Sequence, residues 1–281
     1  MECEKIIADV HTHSEFSSDA EQSVELMAKT AVEKGLSVLG ISDHYDYNIF
    51  PDLNFPDNFE CDIEAKEKEI LRVKELYRDR IIIQNGIELG IDAKSAKRCK
   101  EIADGYSFDY IIGSQHVIGG KDPYPAEYWQ NRDVKGEIAH YFEDILSSLE
   151  AFSDFDIFGH FDYPLRYPPA VKEGKIAPDE LLEDKKIKSL CDEALCVLAK
   201  SGKALEINTG GMRSALSRTN PSVKVLKRFF ELGGRFVTFG SDAHVPEHIG
   251  HGFCEFRKML LSLGKDAYTV YENRKPREIK I

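Results

Sequence analysis

Basic residues are in the minority: 37 Lys and Arg stand against 49 Asp and Glu, leaving a net charge of −12 and a sequence pI near 5.3. That balance excludes a large basic surface of the kind that holds duplex DNA or an anionic membrane. It does not exclude a small phosphorylated ligand, because bound cations can invert the sign of an acidic site. No apolar run approaches the roughly 18 residues of a membrane span. Met1-Glu2-Cys3-Glu4-Lys5 has neither the basic start nor the apolar core of a signal peptide, and a cytoplasmic protein is expected. Cysteine is sparse: Cys3, Cys61, Cys99, Cys191, Cys196 and Cys254 contain no Cys-x-x-Cys pair, which predicts reduced, structural thiols, with Cys191 and Cys196 in the core on one helix. No Ser or Cys stands at a predicted strand end with a free histidine to activate it, so a side-chain nucleophile is not expected. Neither a compositional linker nor an internal repeat divides the 281 residues. A single domain over 1–281 is the reading.

What the chain does have is strict alternation. Residues 6–10, 36–41, 80–84, 110–113, 156–159, 204–207 and 235–239 read as seven short, apolar strands. Between and after them, 21–34, 62–77, 93–103, 133–152, 178–200, 221–232 and 253–263 carry helical spacing or helix-start signals. Such alternation implies a parallel sheet with right-handed crossovers, buried on both faces. The α/β fold expected is therefore a distorted (β/α)7 barrel, with a doubly wound open sheet as the alternative. The basic tail to Ile281 is left unassigned.

Candidate metal ligands gather at one end of this pattern. His11 and His13 follow the first strand with i, i+2 spacing, which on extended backbone points both imidazoles to one face. Asp242 and His244 repeat that spacing after the seventh. Asp19, His44, Glu88, His116 and His160 also lie at, or a few residues past, the C-terminal ends of predicted strands, the face on which (β/α) barrels build their sites. Only His140 sits on a predicted helix, while His248 and His251 trail the last cluster. Neutral imidazole suits Zn, Fe or Mn. Nine such groups are too many for one ion and about right for three, so three divalent metal ions (Zn, Mn or Fe) are expected. Against Asp19, Glu88 and Asp242 these ions leave about +3, enough to draw phosphate into an acidic protein. Glu88 can bridge two ions, and Asp43 is expected to orient a ligand imidazole; His248 and His251 are candidates for that role or for packing. Residues 119–130, with Pro123, Pro125 and Trp129, read as a long loop and a candidate substrate wall.

His11-Thr12-His13, Asp43-His44, Glu88, Ser114-Gln115-His116, Gly159-His160 and Ser241-Asp242-Ala243-His244, in this order, resemble the motifs of the PHP (polymerase and histidinol phosphatase) family. Segments 159–162 and 206–213 are most similar to its stand-alone histidinol-phosphate phosphatases. The resemblance implies a trinuclear centre. His11, His13, Glu88 and Asp242 would hold the first ion, Glu88 would bridge to a second held by His116 and His160, and Asp19, His44 and His244 would hold the third. Many members carry histidine where this chain has Asp19, which is still a competent ligand. Arg166 and Arg213 match loop arginines that grip phosphate, a task their planar forks suit. The activity implied is hydrolysis of a phosphate monoester, L-histidinol phosphate to L-histidinol and phosphate, by a hydroxide between the first two ions, with Glu88, Asp242 and His244 as catalytic residues. The expected partner is a small phosphorylated metabolite, neither nucleic acid nor membrane. A phosphoesterase of the same family acting on nucleotides or another mono- or diester is the alternative. An amidohydrolase would want a bridging lysine at a strand end, and none is clearly placed there.

Overall fold

The computed structural model describes residues 8–47 and 59–281, so Ile6, Ile7 and most of the loop expected at 47–59 lie outside the described residues. Its parallel strands are β1 (Ala8–Asp9), β2 (Val38–Ile41), β3 (His44–Tyr45), β4 (Ile82–Gly90), β5 (Tyr110–Ser114), β6 (Ile157–Phe158), β7 (Ala204–Asn208) and β8 (Val237–Gly240). They run in the order β1-β2-β4-β5-β6-β7-β8. After β2 breaks off, β3 resumes along the same neighbour, pairing His44 with Glu88 on β4. β2 and β3 therefore form one stave, and the sheet has the seven staves expected from the alternation.

The two ends of this sheet meet. Val10 N–H donates to the Phe239 carbonyl (3.2 Å), Asp242 N–H to that of His11 (2.8 Å) and His13 N–H to that of Ala243 (2.9 Å). The buried Asp9 carboxylate accepts the N–H groups of Ser241 (3.0 Å) and Gly250 (2.8 Å), tying the segment after β8 to β1. The result is a nearly closed α/β barrel of TIM-like form, not an open doubly wound sheet. Around it lie α1 (Val24–Glu33), α2 (Ile63–Tyr77), α3 (Ala96–Gly105), α4 (Val134–Ala151), α5 (Pro169–Lys172), α6 (Pro178–Leu182), α7 (Lys185–Lys200), α8 (Val223–Glu231) and α9 (Phe253–Ser262). Amphipathic spacing forms them: α1 buries Val24, Met27, Ala28 and Ala31, and the Ser23 hydroxyl caps its first turn. The single helix expected at 178–200 is two, because Asp184 caps a new start by accepting the Lys186 N–H at 3.0 Å.

One boundary matters for function. The third barrel strand was expected to stop at Gln84, before Asn85-Gly86, leaving Glu88 beyond its end; instead β4 runs on to Gly90 and Glu88 lies within it. Gly86 lies inside this strand. A Cβ at that position would meet the Tyr110 ring at 2.2 Å, and one at Gly40 would meet the Tyr110 hydroxyl at 2.0 Å. Both glycines make room for the fully buried Tyr110 side chain.

The unassigned tail is an antiparallel hairpin, β9 (Ala267–Glu272) with β10 (Lys275–Lys280). Asn273 and Arg274 both take positive φ at its tip, as a two-residue primed turn requires. The hairpin packs at the N-terminal end of the barrel, where the Tyr268 hydroxyl accepts the Ala8 N–H (2.9 Å) and the Tyr271 hydroxyl donates to the Asp156 carbonyl (3.2 Å). That leaves the C-terminal end open. Cys61, Cys99, Cys191 and Cys196 are free thiols, with Cys191 buried and Cys196 half-buried on α7. Cys254 departs from the reduced-thiol expectation and is disulfide-bonded; linear spacing carries no information about which side chains tertiary contacts bring together. Among the described residues no helix is long and apolar enough to cross a membrane.

Candidate metal centre

Every stave delivers a polar side chain to the open end. β1 leads to His11 and His13, β3 supplies His44, β4 supplies Glu88, β5 leads to His116, β6 to His160, β7 to the loop of Arg213, and β8 to Asp242 and His244. Glu88 is the hub and is fully buried. Its Oε1 accepts from Ser114 Oγ (2.6 Å) and His160 Nε2 (2.8 Å) and faces His116 Nε2 at 3.3 Å. Its Oε2 faces His11 Nε2 and His44 Nδ1, both at 3.1 Å, and His13 Nε2 at 3.6 Å. Asp242 Oδ1 stands 3.4 Å from His13 Nε2 and 3.8 Å from His11 Nε2. Asp19 Oδ2 stands 3.1 Å from His244 Nε2 and 3.7 Å from His44 Nε2. All nine expected ligands thus converge. Three groups of them bring ligand atoms within 4.8 Å of one another: His11, His13 and Glu88; His44, Glu88 and His116; and His13, Asp19, His44 and His244.

The donor set fits cations. His11 Nε2, His13 Nε2, His44 Nδ1 and Glu88 Oε2 are buried with no hydrogen-bond partner, a costly state unless a positive ion completes them. Meanwhile the opposite nitrogens are engaged. His11 Nδ1 donates to Glu206 Oε1 (2.5 Å), His116 Nδ1 donates to Asp46 Oδ1 (2.6 Å), and His13 Nδ1 lies 3.1 Å from Ser17 Oγ. A ring held on one nitrogen and open on the other is how a metal-binding imidazole is oriented. Burial pushes His13 down to about 3, with His244 and His44 adding repulsion. Burial opposes the charge on His44 too, but Glu88 and Asp19 outweigh it and hold that ring up at about 9. Burial alone would raise Glu88; the imidazoles of His11, His44 and His116 pull it well below the usual carboxylate range. Asp242 and Asp19 are lowered by neighbouring imidazoles in the same way. All three acids stay ionised at neutral pH.

Above this cluster opens a cavity of about 910 Å³, with His44, His116, His160, Asp242 and His244 on its floor and Tyr163, Arg166 and Tyr167 in its wall. The Arg166 guanidinium lies over the rings of Tyr163 (4.8 Å) and Tyr167 (5.8 Å), and its Nε and one terminal nitrogen have no partner. Arg213 is placed differently. It donates to the Asp242 carbonyl (2.9 Å), its other terminal nitrogen is buried and unpaired, and it is not among the residues lining the cavity. Asp242 itself has φ of 55°, a left-handed conformation uncommon outside glycine and tolerated by aspartate, which aims its carboxylate at His13.

Residues 9–210 match the PHP domain family. The chain belongs to the PHP family. Among its relatives, the histidinol-phosphatase of Lactococcus lactis is 31% identical over 268 residues, covering 95% of each chain. A Clostridium acetobutylicum protein named probable histidinol-phosphatase is 31% identical over 256 residues, covering 90% of this chain and 92% of that one. A crystal structure of the Lactococcus lactis histidinol phosphate phosphatase complexed with zinc, L-histidinol and phosphate superposes with a TM-score of 0.83 at 26% identity, covering 96% of this chain and 98% of that one.

Two carboxylates of the PHP centre escape a reading of the sequence. Asp46 orients His116 and stands 3.2 Å from His44 Nδ1, yet it lies in a loop with only its position two beyond His44 to mark it. Glu206 holds His11 and accepts the His160 N–H at 2.7 Å; it is a charged residue inside an otherwise apolar strand and opens the 206–213 segment, but no spacing ties it to His11. A Cβ on Gly240 would lie 2.0 Å from the Glu206 carboxylate, so that glycine keeps its path to His11 clear. Asp43, by contrast, touches no imidazole. It accepts from Ser14 N–H, Ser14 Oγ and Ser17 Oγ, and reaches His13 only through Ser17, because the chain turns its carboxylate back toward the loop after β1. His248 and His251 belong to none of the three ligand groups. Replacing Glu206 with Gln should weaken metal binding about 10- to 100-fold, the usual cost of losing such an orienting carboxylate, measured by competition with a chromophoric chelator. Unchanged affinity would remove Glu206 from the centre.

Proposed function

We propose that this PHP protein is a metal-dependent phosphoric monoester hydrolase that converts L-histidinol phosphate to L-histidinol and phosphate, working as one catalytic domain in the cytoplasm. The observation that carries the reading is a set of buried, partnerless ligand atoms on His11, His13, His44 and Glu88, gathered with the ligands that floor the cavity, while Arg166 brings unpaired N–H groups to the wall of that cavity. One set invites cations and the other invites an anion. The names of the relatives and the L-histidinol and phosphate bound in the Lactococcus lactis enzyme support the choice of substrate.

On this reading His11, His13, Glu88 and Asp242 hold a first ion, Glu88, His116 and His160 a second, and Asp19, His44 and His244 a third. Zinc, manganese or iron bound there supplies Lewis acidity toward phosphoryl oxygens and brings the pKa of water toward neutrality. Glu88 spans the first two groups, one carboxylate oxygen toward each. Arg166 offers two N–H groups to the non-bridging oxygens, and Tyr163 and Tyr167 keep its fork in place. Arg213 holds the Asp242 backbone through one terminal nitrogen and keeps the other unpaired, so its part in gripping phosphate is carried over from the family motif. Both nitrogens of His244 are committed, Nε2 toward Asp19 and Nδ1 to the Asp242 carbonyl at 3.1 Å, so it is assigned to the third group rather than to proton delivery.

The test compares kcat/KM of the metal-loaded protein for L-histidinol phosphate, nucleoside monophosphates and a bis-aryl phosphodiester. The expected result is a preference of at least about 100-fold for L-histidinol phosphate, which corresponds to two or three productive contacts to its organic half. Faster turnover of the diester than of every monoester would contradict the reading.

A further inference from the structure

The cavity holds a carboxylate that the chemistry above does not use. Asp122, from the 119–130 loop, lines the cavity together with Tyr124 and Pro125. Its Oδ1 accepts the Tyr124 N–H at 2.8 Å, a local turn contact. Among the described residues no lysine or arginine pairs with it; the charged groups that act on it are His116 and Asp46. It is half-buried, and burial raises it above the ordinary carboxylate range. A partly desolvated carboxylate without a cation is an unfavourable arrangement in the free protein, and a positively charged ligand group relieves it. Glu127 also lines the cavity but is exposed, so water and salt screen it.

What lies between Asp122 and the phosphate end is aromatic. Tyr124 meets Tyr167 edge to face at 5.5 Å, Tyr167 meets Tyr163 at 5.1 Å, and Arg166 sits over both Tyr163 and Tyr167. Asp122 is close enough to Tyr163 and Tyr167 to disfavour ionisation of their hydroxyls. Along one wall the cavity therefore presents a guanidinium, a run of aromatic faces and an acid. A phosphate ester whose other end is a cationic amine, with a flat ring between or beside them, matches that order.

We propose that Asp122 is a specificity-determining residue, its carboxylate pairing with the positively charged amine of the substrate's organic half while the phosphate lies against Arg166. This inference rests on the monoesterase reading above. The substitution that tests it is Asp122→Asn, which retains an oxygen to accept the Tyr124 N–H and removes the charge alone.

With the metal-loaded protein, kcat/KM is measured for L-histidinol phosphate and for p-nitrophenyl phosphate, which has an aromatic ring and no cation. The ratio of the two should fall about 10- to 100-fold in Asp122→Asn, the range expected for one charge-assisted contact. L-Histidinol should weaken as a product inhibitor by a similar factor. A wild-type protein that prefers L-histidinol phosphate, with the ratio and the inhibition unchanged in Asp122→Asn, would overturn this inference and leave the monoesterase reading standing. An equal fall on both substrates would assign Asp122 to loop structure and also overturn it. A wild-type protein with no preference for L-histidinol phosphate would overturn the parent reading, and this inference with it.

Discussion

Replacing Glu88 with Gln is expected to lower kcat/KM for L-histidinol phosphate by about 1,000-fold or more, together with loss of bound metal. The magnitude follows from the several kcal/mol of charge stabilisation that a metal site contributes to phosphoryl transfer. Glu88 faces five imidazoles, those of His11, His13, His44, His116 and His160, and no other acid in the centre reaches more than three. Gln is nearly isosteric, so packing survives. What changes is that an N–H₂ group replaces one oxygen, and the imidazoles lose the buried negative charge that compensates a cation beside them. Elemental analysis and steady-state kinetics on one preparation check both halves. A variant that keeps its full metal complement and more than a tenth of the activity would contradict the role given to Glu88. Circular dichroism should show an intact fold, since Glu88 lies at the open end of the barrel, at the other end from the closing hairpin.

Arg166→Ala should reduce kcat/KM by about 100- to 1,000-fold while leaving the metal content intact, the loss typical of removing one preorganised donor from a developing charge. Among the described residues Arg166 has no hydrogen bond or ion pair to a metal ligand; it packs on two tyrosine faces, with Asp242 near enough to favour its charge. Inorganic phosphate should also bind more weakly as a product inhibitor. Arg166→Lys should recover only part of the loss, because a single ammonium cannot offer two parallel N–H groups. Loss of metal in Arg166→Ala, or phosphate inhibition equal to wild type, would place Arg166 outside the phosphate site. The contrast with Glu88→Gln separates the two halves of the cavity. One substitution empties the floor and the other disarms the wall.

The parts of this centre that were legible in the sequence are those set by local geometry. The i, i+2 spacing of His11 with His13, and of Asp242 with His244, forces each pair to one side of extended backbone whatever the rest of the chain does. Alternating strand and helix signals then place each pair at the same end of a parallel sheet. Less legible was anything that depends on how staves lie across the barrel. Glu88 looked like a residue beyond a strand because the apolar run ends at Gln84, whereas the strand runs on and Gly86 is there to admit the ring of Tyr110 from the next stave. Glu206 and Asp46 belong to the centre only because register brings them behind His11 and His116, a relation with no short sequence spacing to reveal it. Asp43 shows the converse error. Adjacency to His44 suggested that it orients an imidazole, and the backbone instead turns it toward Ser14 and Ser17.

Whether this barrel performs its hydrolysis through ions held by the nine converging ligands is decided by stripping the metal and counting its return. Protein freed of metal with a chelator is titrated with Zn or Mn, with kcat/KM for L-histidinol phosphate and the bound metal per chain measured at each step. The stripped protein should show no measurable turnover, and activity should recover to a plateau at about three ions per chain. Full turnover by protein shown to hold no metal would contradict that role for the ions.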